Sequence, residues 1–382
     1  MRRLISLSIL STFLTIFSST NIFSQVTTAT LSGIVKNNKN EALSNATVSV
    51  QFAEAGIHLD VLANAVGQFT IPNLRVGGPY KISASYTNYE AGSVDNVFLE
   101  LGQNNFVELT LQEKATELSG VVVTGTASQA ANKKTGASTN ISNRLITDLP
   151  TISRSADDYL RLTPSASPTY NGMSFAGRNG QYNNFSLDGA VFNNPFGLDA
   201  PTPGGQSNAQ PISLDAIDQI QVNLAPYDVT QAGFTGAGVN TVTKSGTNTT
   251  HGTVFGFFRN DALTGNKVSG TKLVVPTLRD VQAGASIGGP IIKNKLFYFA
   301  NFETQQRQDE ATSYVALNST NNGKSNTSRV LESDLQDVSN ILKQRFNYET
   351  GPYQGFTHDQ VSYKWLAKLD WNINDVHKLT FT

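Results

Sequence analysis

The 382 residues contain no cysteine. Disulfides, thiolate metal sites and a lipidated N-terminal cysteine are therefore excluded. Charge is also scarce. Charged residues make up 15 %, and 28 Lys and Arg are set against 29 Asp and Glu. A net charge of -1 leaves no basic footprint for nucleic acid, so no nucleic-acid partner is expected. Histidine is limited to His58, His251, His358 and His377. They are scattered, with no Glu at ligand spacing, so no zinc-hydrolase centre can be assembled from them. No nucleophile–base constellation stands out, and single Asp and Ser residues read as caps and turn formers. The expectation is a chain with no catalytic residues, no metal and no cofactor.

Long apolar runs are lacking, with one exception. Leu4 to Phe17 is apolar, follows the basic Met1-Arg2-Arg3 and gives way to polar Ser18–Asn21. The run is short for a membrane span. Its layout is that of a secretory signal peptide, residues 1–24, with cleavage after Ser24.

What is abundant is Gly (31 residues), Asn, and the β-formers Thr, Val and Phe. That balance predicts a mainly β protein. The stretch "GAGVNTVTKSG", Gly236–Gly246, imitates a phosphate-binding loop: Gly238, Lys244 and Ser245 stand at the required spacing. The second glycine of such a loop, needed where backbone wraps the phosphates, is replaced by Thr243. Thr243 is β-branched and stiff. Val239 to Thr243 are β-formers, and Ser245 to Asn248 is turn chemistry, so the segment reads as a strand ending in a loop.

From Thr28 to Gln112 short alternating runs recur at about ten-residue spacing, the pattern of a small β-sandwich. Gly33-Ile34-Val35, Ala46–Val50, Gly67–Leu74 and Gly78–Ser85 resemble the wording of a carboxypeptidase regulatory-like domain over about 85 residues. The name carries no peptidase activity with it. Next, Gly120 and Gly125 bracket Val121-Val122-Val123-Thr124 within Ala-, Ser-, Asn- and Lys-rich flanks that look like linker. This core is either a last sandwich strand or an extended segment offered to a partner's sheet edge.

From Gly136 helix and strand mix. The stretch "SADDYLRLTP", Ser155–Pro164, reads as a short helix capped by Ser155, with acids in its first turn, and stopped by Pro164. Phe185 to Asn194 is a strand pair turned by Asp188-Gly189. Leu214 to Pro226 is a short helix entering a strand. Leu160–Pro164, Gly177-Arg178-Asn179, Asp188-Gly189, Ile217–Val222 and Gly238–Lys244 together resemble the plug domain of TonB-dependent outer-membrane receptors. Where many members carry acidic "I-E-V" and then "R-G-P", this sequence has Ile220-Gln221-Val222 and Leu224-Ala225-Pro226. That variant is most similar to the Oar-like branch, and it argues against siderophore-type substrates. In this setting Val121–Thr124 resembles the TonB box.

After Lys244, strands appear at "HGTVFGFFRN", "RDVQAGASIGG", "KLFYFANFE", "VSYKWLAKLDW" and "HKLTFT". Long connections alternate with short ones, including about fifty-five polar residues from Thr304 to Gln360. That alternation is typical of outer-membrane barrels. Tyr363, Trp365, Ala367, Leu369 and Trp371 share one face; Lys364, Leu366, Lys368 and Asp370 share the other. The two faces fit lipid and lumen; the alternative is a half-buried strand of a soluble sheet. Five strands cannot close a membrane barrel. The chain is accordingly read as the N-terminal portion of a longer receptor.

The expected architecture is mainly β, in five parts. They are a signal peptide (1–24), a small Ig-like β-sandwich (28–113), a TonB-box-like segment with linker (114–135), an α+β plug (136–247) and the first strands of an incomplete transmembrane antiparallel β-barrel (248–382). The resemblance implies import of a bulky peptide, glycan or chelate, with energy delivered by TonB and its inner-membrane motor complex. The TonB-contacting residues would be Val121, Val122, Val123 and Thr124. Substrate contacts would fall in the turn Tyr170–Asn184 and the loop Phe192–Gln210, at Asn171, Arg178, Asn179, Asn193 and Asn194; plain loop packing is the competing account. Outer-membrane lipid is an implied partner and a surface lipoprotein a further candidate. The localisation is the outer membrane, with sandwich and box in the periplasm. A non-transporting adhesin or signalling receptor on the same scaffold is the rival function, since fold alone does not choose.

Overall fold

A computed structural model describes residues 26–114, 137–169, 172–194, 201–205, 209–226, 231–324, 326–374 and 377–382. Residues 1–24, read above as a signal peptide, Val121–Thr124 and Asn171 lie outside the described residues. Successive residues of each strand point to opposite faces of its sheet. The chain divides into two compact units. One takes in residues up to 52, 58–203 and 217–243; the other takes in 53–57, 204–216 and 244–382.

The first unit begins with seven strands: β1 (Ala29–Asn37), β2 (Thr47–Phe52), β3 (Ile57–Leu62), β4 (Gln68–Leu74), β5 (Gly77–Ser85), β6 (Gly92–Leu99) and β7 (Asn104–Leu111). They form two sheets, ordered β4-β1-β7 and β3-β2-β5-β6. Val48, Val50, Tyr80, Ile82, Val107, Leu109 and Leu111 alternate inward and are buried. The run from Val97 to Gln112, which reads as one β stretch, is broken by a turn at Leu101–Gly102. Tyr80 packs its ring 4.8 Å from that of Phe52 and donates its hydroxyl to the Arg75 carbonyl at 2.7 Å. Gly33 is dictated by closeness: a β-carbon there would meet the Val107 carbonyl oxygen at 2.2 Å. Asn40, Asn45 and Asn88, in the connections, and Asn73 and Asn96, within β4 and β6, stand at positive φ, which Asn tolerates better than most residues.

The rest of this unit is a five-stranded sheet with helices. Its elements are β8 (Ser138–Ile141), α1 (Asn143–Asp148), α2 (Ala156–Leu160), β9 (Ala166–Thr169), β10 (Gly172–Phe175), β11 (Asn184–Leu187), β12 (Ala190–Val191), β13 (Ile217–Asn223) and β14 (Gly238–Thr243). The sheet order is β12-β11-β14-β13-β8, with β9 and β10 as a separate hairpin. The imitation phosphate loop is β14. All six of its residues are buried, paired parallel to β11 and antiparallel to β13. Ser155 stands at the N-cap of α2, but its side chain makes no capping bond. Asp158 instead accepts from the Ser153 and Ile152 backbone N–H groups at 2.8 and 3.2 Å.

The second unit is built on β15 (His251–Asn260), β18 (Leu278–Ile292), β19 (Leu296–Glu310), β22 (Thr357–Asn372) and β23 (Lys378–Phe381), all antiparallel and consecutive in one open sheet. Small hairpin strands β16 (Lys267–Val268) and β17 (Thr271–Lys272) sit in the first connection. The connections run 261–277, 293–295, 311–356 and 373–377, so long and short do alternate. The polar stretch Thr304–Gln360 is not one loop. Strand β19 continues to Glu310, β22 starts at Thr357, and between them lie β20 (Val315–Leu317), β21 (Thr327–Leu331) and α3 (Glu332–Phe346).

Candidate functional site

The five-stranded sheet has two chemically opposite faces, set by strand period and register. Phe302 pairs with Trp365, Tyr298 with Leu369 and Leu296 with Trp371. On this face Trp365 is 80 % exposed, and Val254, Ile287, Tyr363 and Trp371 are exposed with it. A wide exposed band of aromatic and aliphatic side chains is costly in water and favourable in hydrocarbon.

The other face is polar and buried. Its centre is the ion pair Lys364 Nζ to Glu303 Oε1 at 2.5 Å, with side chains 7 % and 2 % exposed. The second Glu303 oxygen accepts from the Ser213 hydroxyl at 2.6 Å. Two residues on, Asp215 accepts from the Thr253 hydroxyl at 2.6 Å and lies 3.5 Å from Lys244 Nζ. Lys244 is the lysine that a phosphate loop would aim at a nucleotide; here it neutralises a carboxylate. Asp280 lies between Arg259 (3.4 Å) and Arg307 (3.8 Å) and accepts from Gln305 at 3.1 Å. Arg307 also holds Asp309 at 2.6 Å. Every buried carboxylate on this wall thus has a cation or hydroxyl partner, as burial demands. The wall can hold the 213–215 segment reversibly through hydrogen bonds and charge. Among the described residues no group of three or more His, Cys, Asp or Glu could hold a metal ion.

The described substrate candidates fall into two kinds. Arg178 and Asn179 are exposed, beside the sharp backbone at Ala176 and Gly177, both at positive φ. Asn179 Oδ1 accepts from the Gln181 N–H at 3.0 Å, opening a 3-10 turn. Asn193 is engaged by the fold itself: its Oδ1 accepts from the Phe185 N–H at 2.7 Å and its Nδ2 donates to Asn184 at 3.0 Å. The Asn194 N–H donates to the Pro201 carbonyl at 2.8 Å. Arg178 and Asn179 therefore keep a solvent-facing surface that Asn193 has largely spent on its own turn. Asn171 and Val121–Thr124 lie outside the described residues.

Sequence reasoning missed Ser213, Asp215 and Glu303. Alternation over 361–371 does put Lys364 and Lys368 on one face, but their partners need the register between β19 and β22, which no local pattern carries.

Residues 242–355 match the Outer membrane beta barrel domain family, and residues 30–112 match the Carboxypeptidase regulatory-like domain family. The TonB-dependent transporter Oar of Myxococcus xanthus is 27 % identical over 240 residues, covering 60 % of this chain and 20 % of that protein. Among solved structures, the siderophore receptor PirA from Acinetobacter baumannii aligns with 63 % of this chain and 30 % of its own (19 % identity, TM-score 0.39). The outer membrane transporter YddB from Escherichia coli aligns with 64 % and 32 % (13 % identity, TM-score 0.41). The chain spans a fifth of the curated relative's length and about a third of those solved chains. The matched barrel domain assigns it to the outer membrane.

Proposed function

We propose, taking the chain as a TonB-dependent receptor of the outer membrane related to the Oar transporter, that it serves in the import of a bulky substrate. Peptide, glycan and chelate are the substrate classes such a scaffold would take. The observation that carries the reading is a succession along one chain. A regulatory-like sandwich is followed by a short β-forming segment between two glycines, then a plug-like sheet ending in β14, then strands with one apolar and one ion-paired face.

In this reading Val121, Val122, Val123 and Thr124 add a strand to TonB by main-chain hydrogen bonds. Tension from the inner-membrane motor then shifts the plug and opens a path for substrate. Arg178 and Asn179 are the first choices for substrate contact, with Asn171, Asn193 and Asn194 behind them. No bond in the substrate is made or broken, so no catalytic residue is assigned.

The test is calorimetric titration of a peptide spanning Thr116–Thr126 into the host's TonB C-terminal domain, with Val122→Pro as control. Proline removes the N–H that strand pairing needs. Binding that the control abolishes supports energised import. No binding removes the coupling site and moves the function to a passive adhesin or signalling receptor.

A further inference from the structure

The turn between β6 and β7 is gripped by the plug-like sheet of the same unit. Gln219 Oε1 accepts from the Leu101 N–H at 2.8 Å, and Gln219 Nε2 donates to the Leu99 carbonyl at 3.2 Å. One carboxamide thus reads both backbone polarities of the turn, as a neighbouring strand would. Asn140 Nδ2 donates to the Leu101 carbonyl at 3.1 Å and to Glu100 at 3.3 Å. Gln103 Nε2 reaches the Ser138 hydroxyl at 3.4 Å. Gly102 stands at φ +60, and a β-carbon there would meet the Gln221 carboxamide at 2.6 Å. Gln219 is 4 % exposed, Gln221 2 %, and Leu99 and Leu101 are wholly buried.

Register explains why these groups converge. Gln221 lies opposite Asn140 and Asn223 opposite Ser138, and alternation puts Gln219 on the same face of β13. The opposite face carries Ile141, Ile220 and Val222. One side of the sheet is therefore core, and the other is a neutral carboxamide patch shaped to a sandwich turn. Gln221 occupies the position where an "I-E-V" wording would set a Glu. A buried carboxylate there would lie against Gly102 and the neighbouring carboxamides, at a large desolvation cost.

We propose that this patch is a latch that makes the sandwich a second handle on the plug. The inference rests on the transporter reading. The described sandwich ends at Lys114, whose N–H donates to the Asn88 carbonyl at 2.9 Å; the sheet begins at Ala137, whose carbonyl accepts from Leu224 at 2.9 Å. The coupling segment joins these two points, so tension on it acts at both. Through Ala137 it reaches β8, a four-residue strand paired among the described residues to β13 alone. Through Lys114 it enters the sandwich, and the turn at Leu99–Gln103 delivers it to β13, one strand further into the sheet. An undocked sandwich would pass nothing along this second route. Apart from the Asn140 bond to half-buried Glu100, the latch is made of uncharged hydrogen bonds, so it opens and recloses without stranding a wholly buried ion.

None of these 382 residues is a cysteine, so none of them competes with an engineered pair. Gln219→Leu removes the carboxamide at nearly constant volume; Gln103→Cys/Ser138→Cys, oxidised in the same background, replaces the latch with a reducible bond. Hydrogen exchange on the full receptor in lipid nanodiscs reads docking. Gln219→Leu should speed exchange of the Leu101 amide and of β8 at least tenfold while Val48 and Val50 stay protected, and the disulfide should reverse the effect. Single-molecule pulling through a bound TonB C-terminal domain reads load transfer. The force that opens the plug should fall in Gln219→Leu and recover when the disulfide forms. Unchanged exchange at Leu101 and β8 would overturn the latch; unchanged opening force across the three proteins would overturn the second handle. Failure of the TonB domain to bind would instead sink the transporter reading, with the exchange arm still deciding the latch.

Discussion

Asp188 receives both polar groups of Thr243: its Oδ1 accepts from the Thr243 N–H at 2.9 Å and its Oδ2 from the hydroxyl at 2.5 Å. Asp188 turns the β11–β12 hairpin at φ 47, and Thr243 closes β14. The residue that disqualifies the phosphate-loop imitation is thus the one that fastens a hairpin turn to the sheet's central strand. Hydrogen bonds to a charged acceptor contribute about 1.5–3 kcal/mol each. Asp188→Ala should destabilise the first unit by about 2–4 kcal/mol, since the second bond overlaps the first in effect. Thr243→Val, which keeps the shape and the N–H bond, should cost about half as much. Urea unfolding followed by hydrogen exchange at β14 measures both. Equal, near-zero losses would mean the turn is held by something else.

The Glu303–Lys364 pair yields a sharper contrast. Both side chains are nearly wholly buried, so removing one leaves an unpartnered charge. Lys364→Met should cost about 3–5 kcal/mol. The double change Lys364→Met/Glu303→Gln should recover most of that loss, because no charge is then stranded. Unfolding of the receptor in detergent, by loss of heat-resistant migration on gels, follows all three. A double variant as unstable as the single would show that a stranded Glu303 charge is not what the single change costs.

Local patterning carries much of this fold. The alternation from Val361 to Trp371 locates β22 and its outward aromatics, Asp188-Gly189 locates the hairpin turn, and the β-branched run Val239–Thr243 locates β14. Two contacts are not local. Gln219 meets Leu101 across 118 positions, and Lys364 meets Glu303 across 61; both need register. The end of β19 is hidden for a physical reason. Gln305, Arg307 and Asp309 belong to a strand face that is polar by design, so a strand there reads as loop. The helix Glu332–Phe346 is masked likewise, its Leu335, Val338 and Leu342 thinly spaced among polar residues and none of its residues buried.

Placement in lipid can be tested on opposite faces of one strand pair. Phe302, paired with Trp365, belongs to the apolar face. Phe302→Arg should cost about 2–4 kcal/mol if that position lies near the bilayer midplane. Leu366→Gln, on the polar face, should change stability far less. Refolding of the full receptor into vesicles, with tryptophan fluorescence against denaturant, compares them. Equal costs at the two positions would mean that the band does not face hydrocarbon.

The helix Ala156–Leu160 gives a pH dependence whose sign can be worked out. Asp157 is half-buried. Burial chiefly, with the Asp158 carboxylate beside it, holds its pKa above the ordinary value near 3.8, against a smaller opposing pull from Arg161. A carboxyl whose folded pKa is raised is more protonated folded than unfolded between the two values. Stability therefore falls as pH rises through that window, and the loss is complete at neutral pH. Asp157→Asn, which cannot ionise, should be more stable than the wild type at pH 7. The difference should shrink as pH falls toward 4 and vanish below the unfolded value. Amide exchange at Tyr159 and Leu160 between pH 4 and 7, corrected for intrinsic rates, follows the local opening equilibrium. A variant that is less stable at neutral pH would show instead that ionised Asp157 helps the helix N-terminus more than its burial costs.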